Sequence, residues 1–446
     1  MATTRVVVIG CGFGGLEAVR ALIPNPDLEV TVIDRTNHHL FQPLLYQVAT
    51  ANVAAPAVAG PIRFILRREM KTRRLTVLRA TVQKIDAAAR TLMLDDGGRV
   101  LYDHLIVAAG ATHSYFGHDE WARHAPGLKT LSDAFAIRSQ IIGAFEAAER
   151  IADNHVADDP QRLAWMNFVI IGGGPTGVEM AGAMAEIARH TLANEFHRID
   201  TRLARIVLLE GSPRVLGAFE PRLSASAARQ LERLGVELRT GCQVIGIDAG
   251  GVDYRRGEAT ERLPARTVVW AAGVAASPLG RELAANAGAT LDRAGRVQVA
   301  QDLSLPGHPE ISVIGDLAAI STPSARGPQP VPGVSPAAKQ MGRLAAANLQ
   351  RRLRGEPTRE FRYIDYGSLA TIGRMAAVVQ LELPVIGRFG FSGRLAWLFW
   401  LFAHIWFLIG FRNRMVVMMD WAWSYFTFAR HARVVAQPED EGTGAT

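Results

Sequence analysis

The chain has 446 residues, 49% of them hydrophobic and 20% charged, with a formal net charge of +7 and two cysteines. That length predicts two or three domains with sizeable cores, and the composition excludes a low-complexity or fibrous chain. No Lys/Arg block with interleaved aromatics points to nucleic acid, which leaves an anionic membrane surface as the better match for the modest positive charge. Cys11 and Cys242 lie far apart and form neither a C-x-x-C pair nor a ligand cluster, so no metal and no structural disulfide is expected.

The first residues, "MATTRVVVIG", run directly into a strand pattern, which leaves no room for a signal peptide and predicts a cytoplasmic protein. The strand "RVVVIG" (Arg5–Gly10), the turn "GCGFGG", the helical "GGLEAVRAL" and the strand "LEVTVID" (Leu28–Asp34) make a βαβ unit. Gly10, Gly12 and Gly15 form a GxGxxG fingerprint. Its glycines allow a tight turn, close backbone approach to a pyrophosphate, and tight helix–strand packing, while the helix N-terminus attracts the anion. Asp34 ends the next strand, 24 residues after Gly10, where a carboxylate can accept ribose hydroxyls. Phe13, Gly14 and Arg35 are counted in the same dinucleotide site. Cys11 reads as a small residue fitted between glycines.

A strand-like "LIVAAGA" (Leu105–Ala111) is followed by a helix at about 131–151 and a polar linker, "ADNHVADDPQR" (Ala152–Arg162). The βαβ grammar then returns in "NFVIIGGGPTGVEMAGAMAEIARHTL" (Asn167–Leu192) and "ARIVLLE" (Ala204–Glu210). Gly172, Gly174 and Gly177, with Pro175 and Thr176, make the second loop. Glu210 follows Gly172 by 38 residues against a usual spacing of about 20. A helix prolonged through "AEIARHTLANEFHRID" would absorb the excess. A glutamate there bonds the ribose of NADH and repels the extra phosphate of NADPH, although Arg214 leaves room for NADPH. Glu179, read as first-turn, is either an acid complementing the helix dipole or a carboxylate near the reacting rings.

Further on, "TVVWAAGVAASPLG" (Thr267–Gly280) is strand-like, and "ISVIGDLA" (Ile311–Ala318) is an apolar strand ending in Gly-Asp. The latter resembles the second flavin motif of two-dinucleotide-domain flavoproteins, which implies FAD in the first site with Gly315 and Asp316 at its ribitol chain. Leu105–Ala111 and Thr267–Gly280 resemble the crossover strands of that family, adding Ala109 and Gly110 to the FAD site and Ala272 and Gly273 to the NADH site. After the Pro/Gly-rich loop Ser321–Val334, Ser335 can cap a helix whose first residue is Pro336. Two aromatic-rich helical segments follow, with seventeen uncharged residues between Arg394 and Arg412. A span needs about 20 apolar residues, so these segments are expected to lie on a membrane surface with Trp397, Trp400, Trp406, Trp421 and Trp423 at headgroup level and arginines toward anionic lipid. The tail "QPEDEGTGAT" is expected to be disordered.

Nearly the whole chain resembles the type II NADH:quinone oxidoreductases, single-subunit NADH dehydrogenases that pump no protons. The resemblance rests on "VVVIGCGFGGLEAVRAL", "FQPLLYQVAT", "VIIGGGPTGVEMAGAMAE", "VIGDLA", "PAAKQMG" and the aromatic C-terminus. It implies an α/β fold of two Rossmann-like dinucleotide-binding domains, for FAD and NADH, plus a C-terminal amphipathic membrane-associated helical region. The expected divisions are 1–125 and 281–355 for FAD, 126–280 for NADH, 356–435 for the membrane-associated region and 436–446 for the tail. NADH would reduce non-covalently bound FAD, and the flavin a membrane quinone (menaquinone or ubiquinone), in a homodimer on the cytoplasmic face of the cell membrane.

The resemblance further implies that Phe41, Gln42, Pro43, Leu44 and Leu45 line the flavin and quinone pocket, with Ala338, Lys339 and Gln340 beside it and Glu179 near the nicotinamide. One departure stands out: the family's A-Q-x-A-x-Q stretch reads "SPAAKQ" here, with Ser335 and Pro336 replacing the first Ala and Gln. Three other functions remain in view: an NADPH- or ferredoxin-linked FAD oxidoreductase, a sulfide:quinone oxidoreductase-like enzyme and a redox-sensing flavoprotein. The second needs a redox cysteine pair that Cys11 and Cys242 are poorly placed to supply.

Overall fold

A computed structural model describes residues 3–151, 160–323, 327–383, 387–430 and 432–435. The expected linker at 152–159, part of the Pro/Gly-rich loop (324–326) and the tail 436–446 lie outside these. Pro160–Arg162, read as linker, instead begins a helix, Pro160–Trp165. The chain forms two compact units: Met1–Leu40, Ala59–Thr112 and Val274–Tyr366 in the first, and Phe41–Val58, His113–Gly273 and Gly367–Thr446 in the second.

The first unit is built on a six-stranded sheet in the order Ser304–Leu305, His308–Val313, His104–Val107, Thr4–Ile9, Leu28–Asp34, Leu75–Arg79. All neighbours run parallel except the first pair. Val6, Val8, Val30 and Val32 are fully enclosed, as a strand covered on both faces requires. His104–Val107 pairs directly with Thr4–Ile9, Val7 opposite Leu105, as an inner strand of the sheet, and the chain passes into the second unit just beyond it, after Thr112. The helix Ser335–Leu353 packs across Phe13–Leu22, the helix that opens at the first glycine loop. Gly342 makes that approach possible, because a Cβ there would lie 2.1 Å from the Gly14 carbonyl oxygen. Ser335 does not cap this helix: it is the first helical residue, behind Val334 at the N-cap.

The second unit repeats the plan in a four-stranded parallel sheet, Val236–Thr240, Arg205–Glu210, Asn167–Ile171, Thr267–Trp270. The expected crossover segment Thr267–Gly280 begins as the edge strand of this sheet, Val268 opposite Val169, and the chain returns to the first unit after Gly273. The helix after the second loop is not prolonged. It ends at Glu186, followed by one π-helical turn, Ile187–Thr191, and an irregular stretch that absorbs the extra spacing before Glu210. The C-terminal part is not wholly helical either: Ser368–Gly373, Ala376–Leu383 and Gly387–Ser392 form an antiparallel sheet, as their alternation of apolar and polar residues allows. Its first strand seats against the helix Pro175–Glu186 at Gly182, where a Cβ would fall 1.6 Å from the Ile372 carbonyl oxygen. Two helices follow, Arg394–Phe407 and Phe411–Thr427. No helix among the described residues is long and apolar enough to cross a membrane.

Candidate active site

In the first unit Gly10 turns the chain at φ +90°, and a Cβ on Gly15 would lie 1.9 Å from the Gly10 carbonyl oxygen, so strand and helix meet backbone to backbone. A Cβ on Gly12 would meet nothing within 4 Å, which leaves that side of the loop open beside the helix N-terminus. Asp34 Oδ2 accepts the Cys11 N–H at 2.7 Å, and Oδ1 accepts the Thr36 N–H and hydroxyl, each at 2.8 Å. A carboxylate offers about four lone-pair positions, so capacity for ribose hydroxyls remains. Gly315 (φ +71°) starts the turn that carries Asp316, whose carboxylate has no hydrogen-bond donor among the described residues and can take a ribitol hydroxyl. The cradle fits FAD. The Cys11 thiol is buried and pushed up to about 12 by desolvation, hence inert at neutral pH.

Lys339 stands over the Phe13 ring, 5.3 Å from its centroid, and burial lowers its pKa. Ala338 packs near Gly14 and Gly315. The Gly110 carbonyl, beyond Ala109, accepts the Ser277 N–H at 3.1 Å, and Arg35 is exposed. Gln340 uses both ends of its amide on one residue, donating to the Ile364 carbonyl and accepting the Ile364 N–H, each at 2.9 Å. Gln340→Ala is therefore expected to reduce stability by about 1–2 kcal/mol, seen as a lower melting temperature, with NADH-driven bleaching of the flavin nearly unchanged.

The second unit reproduces the first cradle. Gly172 turns at φ +106°, a Cβ on Gly177 would lie 1.8 Å from the Gly172 carbonyl oxygen, and Gly174 faces open space. Pro175 and Thr176 are exposed at the helix start, and Gly273 (φ +98°) follows Ala272 past the edge strand Thr267–Trp270. Glu210 accepts the Gly173 N–H at Oε2 (2.5 Å) and the Ser212 N–H at Oε1 (2.6 Å). These are the counterparts of the Cys11 and Thr36 bonds to Asp34, so Glu210 is in register despite its spacing. Arg214 is turned away, donating to the Gly217 carbonyl at 2.9 Å.

A pocket in the second unit is walled by the short helix Leu45–Ala49, the second-loop helix, the strand Ser368–Gly373 and both C-terminal helices. Glu179 is the fifth residue of its helix, past the first turn, so dipole complementation does not explain it. It faces this pocket and is buried, which pushes its carboxyl up to about 8. Against that desolvation, the Thr371 N–H donates to Oε1 at 3.3 Å, and the Trp400 indole N–H lies near without closing a hydrogen bond.

On the far wall Glu186 accepts the Arg374 N–H at 2.6 Å and Arg430 Nη2 at 3.0 Å, while Arg430 Nη1 donates to the Thr50 carbonyl at 2.8 Å. Trp421 Nε1 donates to Gln47 Oε1 at 2.6 Å. Trp400 and Trp421 are thus inward-facing, whereas Trp406 and Trp423 are 63% and 54% exposed. Nor are Arg430 and Arg433 held out for lipid, since they pair with Glu186 and Glu195. Leu44 and Leu45 are core residues, Phe41 packs its ring against His404, Pro43 is half-buried, and Gln42 reaches the Lys129 carbonyl at 3.4 Å. Tyr46, Gln47, Glu186 and Arg374 went unread in the sequence, and Arg430 was read as facing lipid. The one available signal was polar and charged residues inside otherwise apolar runs.

Residues 4–342 match the pyridine nucleotide-disulphide oxidoreductase family, which gives the class, and residues 366–431 match the NDH2 C-terminal domain. The chain is 43% identical over 434 residues to the type II NADH:quinone oxidoreductase Ndh of Mycobacterium tuberculosis, covering 96% of this chain and 89% of that protein. It is also 43% identical over 435 residues to the NdhA enzyme of that organism, covering 96% and 88%. Among solved structures, NDH2 from Plasmodium falciparum in complex with NADH superposes with a TM-score of 0.82 at 18% identity, over 98% of this chain and 100% of that one. The sulfide:quinone oxidoreductase of Aquifex aeolicus reaches 0.70 at 18% identity, over 95% of each chain. The chain belongs to the type II NADH:quinone oxidoreductases, within the pyridine nucleotide-disulphide oxidoreductase family. Cys11 and Cys242 are both buried and unbridged, the former sealed in the glycine loop, which speaks against sulfide chemistry.

Proposed function

We propose that this protein oxidises NADH and reduces a membrane quinone, with FAD seated on Gly10–Gly15, Asp34 and Asp316, and NADH on Gly172–Gly177 and Glu210. Bound FAD supplies a two-electron carrier between a hydride donor and the quinone. The observation that carries the reading is the second-unit pocket, in which a buried carboxyl sits among tryptophans of the C-terminal helices. Reduction of a quinone to a quinol takes up two protons, and Glu179, protonated up to about pH 8, can hold one of them beside the substrate. Ser335 and Pro336 alter the helix start next to Lys339 and Gln340, but the pocket is lined by neither of those two residues.

The outer faces of the two C-terminal helices support membrane association. Leu395, Phe402, Phe411, Met419 and Phe426 are all more than 60% exposed, an apolar display that suits the lipid interface. With NADH as donor, the side of the membrane it would rest on is the cytoplasmic one. The test is anaerobic: the purified yellow protein should bleach with NADH and regain its colour with menaquinone or ubiquinone analogues. Failure to bleach would overturn the reading.

Cofactor choice is separately testable. Glu210→Gln exchanges an acceptor for a donor opposite a backbone N–H and removes the charge that repels a 2′-phosphate. The KM for NADH is expected to rise about tenfold, and the preference over NADPH to shrink. An unchanged preference would mean that Glu210 does not meet the ribose.

A further inference from the structure

Three polar side chains on the pocket wall form a chain whose direction is fixed from one end. An indole N–H can only donate, so the 2.6 Å bond from Trp421 Nε1 identifies the facing atom of Gln47 as its carbonyl oxygen. The Asn52 amide donates to the same oxygen at 3.1 Å. The Gln47 NH₂ group must then point the other way, and it donates to the Tyr46 hydroxyl oxygen at 2.9 Å. A phenol has one proton to give, and among the described residues the Tyr46 hydroxyl donates to no acceptor, while its side chain lines the pocket.

We infer that Tyr46 is a hydrogen-bond donor to a carbonyl oxygen of the bound quinone, held in that polarity by Trp421 through Gln47. The inference rests on the pocket being the quinone's. Burial raises the Tyr46 pKa well above its ordinary value, so the phenol keeps its proton at neutral pH. It therefore polarises the carbonyl and stabilises the negative charge that develops on oxygen as electrons arrive, without becoming a net proton source. The balance is quinone plus two electrons and two protons giving quinol. The electrons and one or both protons come with reduced flavin, any remaining proton comes from Glu179 or solvent, and the Tyr46 O–H bond is intact at the end.

The test uses the FAD-loaded enzyme reduced anaerobically with NADH and mixed with menadione in a stopped-flow instrument. Tyr46→Phe removes only the donor, and Gln47→Glu places a carboxylate oxygen where it would accept the phenol proton and turn it from the pocket. Each is expected to slow re-oxidation by menadione about 10- to 100-fold. Bleaching by NADH should be unchanged, and so should re-oxidation by ferricyanide, which has no carbonyl to receive the bond. A merely structural role would slow the ferricyanide reaction as well, and that result overturns the proposal. So does Gln47→Glu reacting at the parental rate, even if Tyr46→Phe is slow, because the proton's direction would then be wrong. Should Tyr46→Phe fail to fold, Gln47→Glu carries the test alone. Ala183→Phe, which fills the pocket, separates the two levels. If it is slow while both other variants are normal, Tyr46 is dismissed and the pocket stands. If all three are normal, the pocket assignment falls too.

Discussion

Arg430→Met should reduce stability by about 3–5 kcal/mol, the usual consequence of stranding one member of a buried ion pair. Arg430 is only 6% exposed, and its partner Glu186 is largely enclosed. Without the guanidinium, the Glu186 carboxylate keeps only the Arg374 N–H, and the Thr50 carbonyl loses its donor. The stem of methionine fills most of the space, so the loss isolates charge rather than volume. Denaturant titration of the FAD-loaded protein measures it. Adding Glu186→Gln should return part of the loss by removing the uncompensated charge, a coupling that a double-mutant cycle resolves. Equal stability of Arg430→Met and the parent would mean that this pair does not hold the end of the chain.

Glu179→Gln should alter the pH dependence of stability more than its value at any one pH. The folded carboxyl titrates near 8 against an ordinary 4.5, because burial penalises its charged form. Between those values the unfolded chain releases this proton and the folded chain retains it, so the folded state binds more protons and stability falls as pH rises. The contribution is fully present below about pH 4.5 and lost as pH passes through about 8, by up to about 5 kcal/mol. Glutamine keeps an acceptor for the Thr371 N–H without this titration. Glu179→Gln should thus be flatter across that window and more stable than the parent at pH 8–9. Re-oxidation of the reduced enzyme by quinone should decline in the parent as pH passes through about 8, where the folded carboxyl titrates, and not in the variant. Parallel stability curves would show that Glu179 is already ionised.

Both dinucleotide cradles were legible because their signals are local. A glycine loop, the strand before it and the helix after it lie within about thirty residues, and the acid is read by counting. Counting also misled, since Glu210 looked displaced and needed a longer helix, whereas a single π turn and an irregular stretch bring it to the Gly173 and Ser212 N–H groups, the counterparts of the Cys11 and Thr36 groups that serve Asp34 in the other unit. The pocket was illegible for the opposite reason. Gln47 meets Trp421 across 374 positions and Arg430 meets Thr50 across 380, and no periodicity reports contacts of that range. Trp400 and Trp421 were assigned to the lipid interface with their neighbours because composition alone cannot tell the inner face of an aromatic helix from its outer one. The C-terminal sheet was missed because its short strands precede a stronger helical pattern, although Gly182, a glycine inside a helix, marked where it would seat.

The bond between Gln47 and Trp421 also bears on how inhibitors of this protein would select for resistance. A molecule seated in that pocket touches the early segment 46–52, the middle segment 179–191 and the late segment 371–430 together. Escape substitutions should therefore fall in three clusters far apart along the gene. Swapping any one segment alone with that of a relative should disturb inhibitor and quinone alike, while exchanging all three should carry the inhibitor profile across intact.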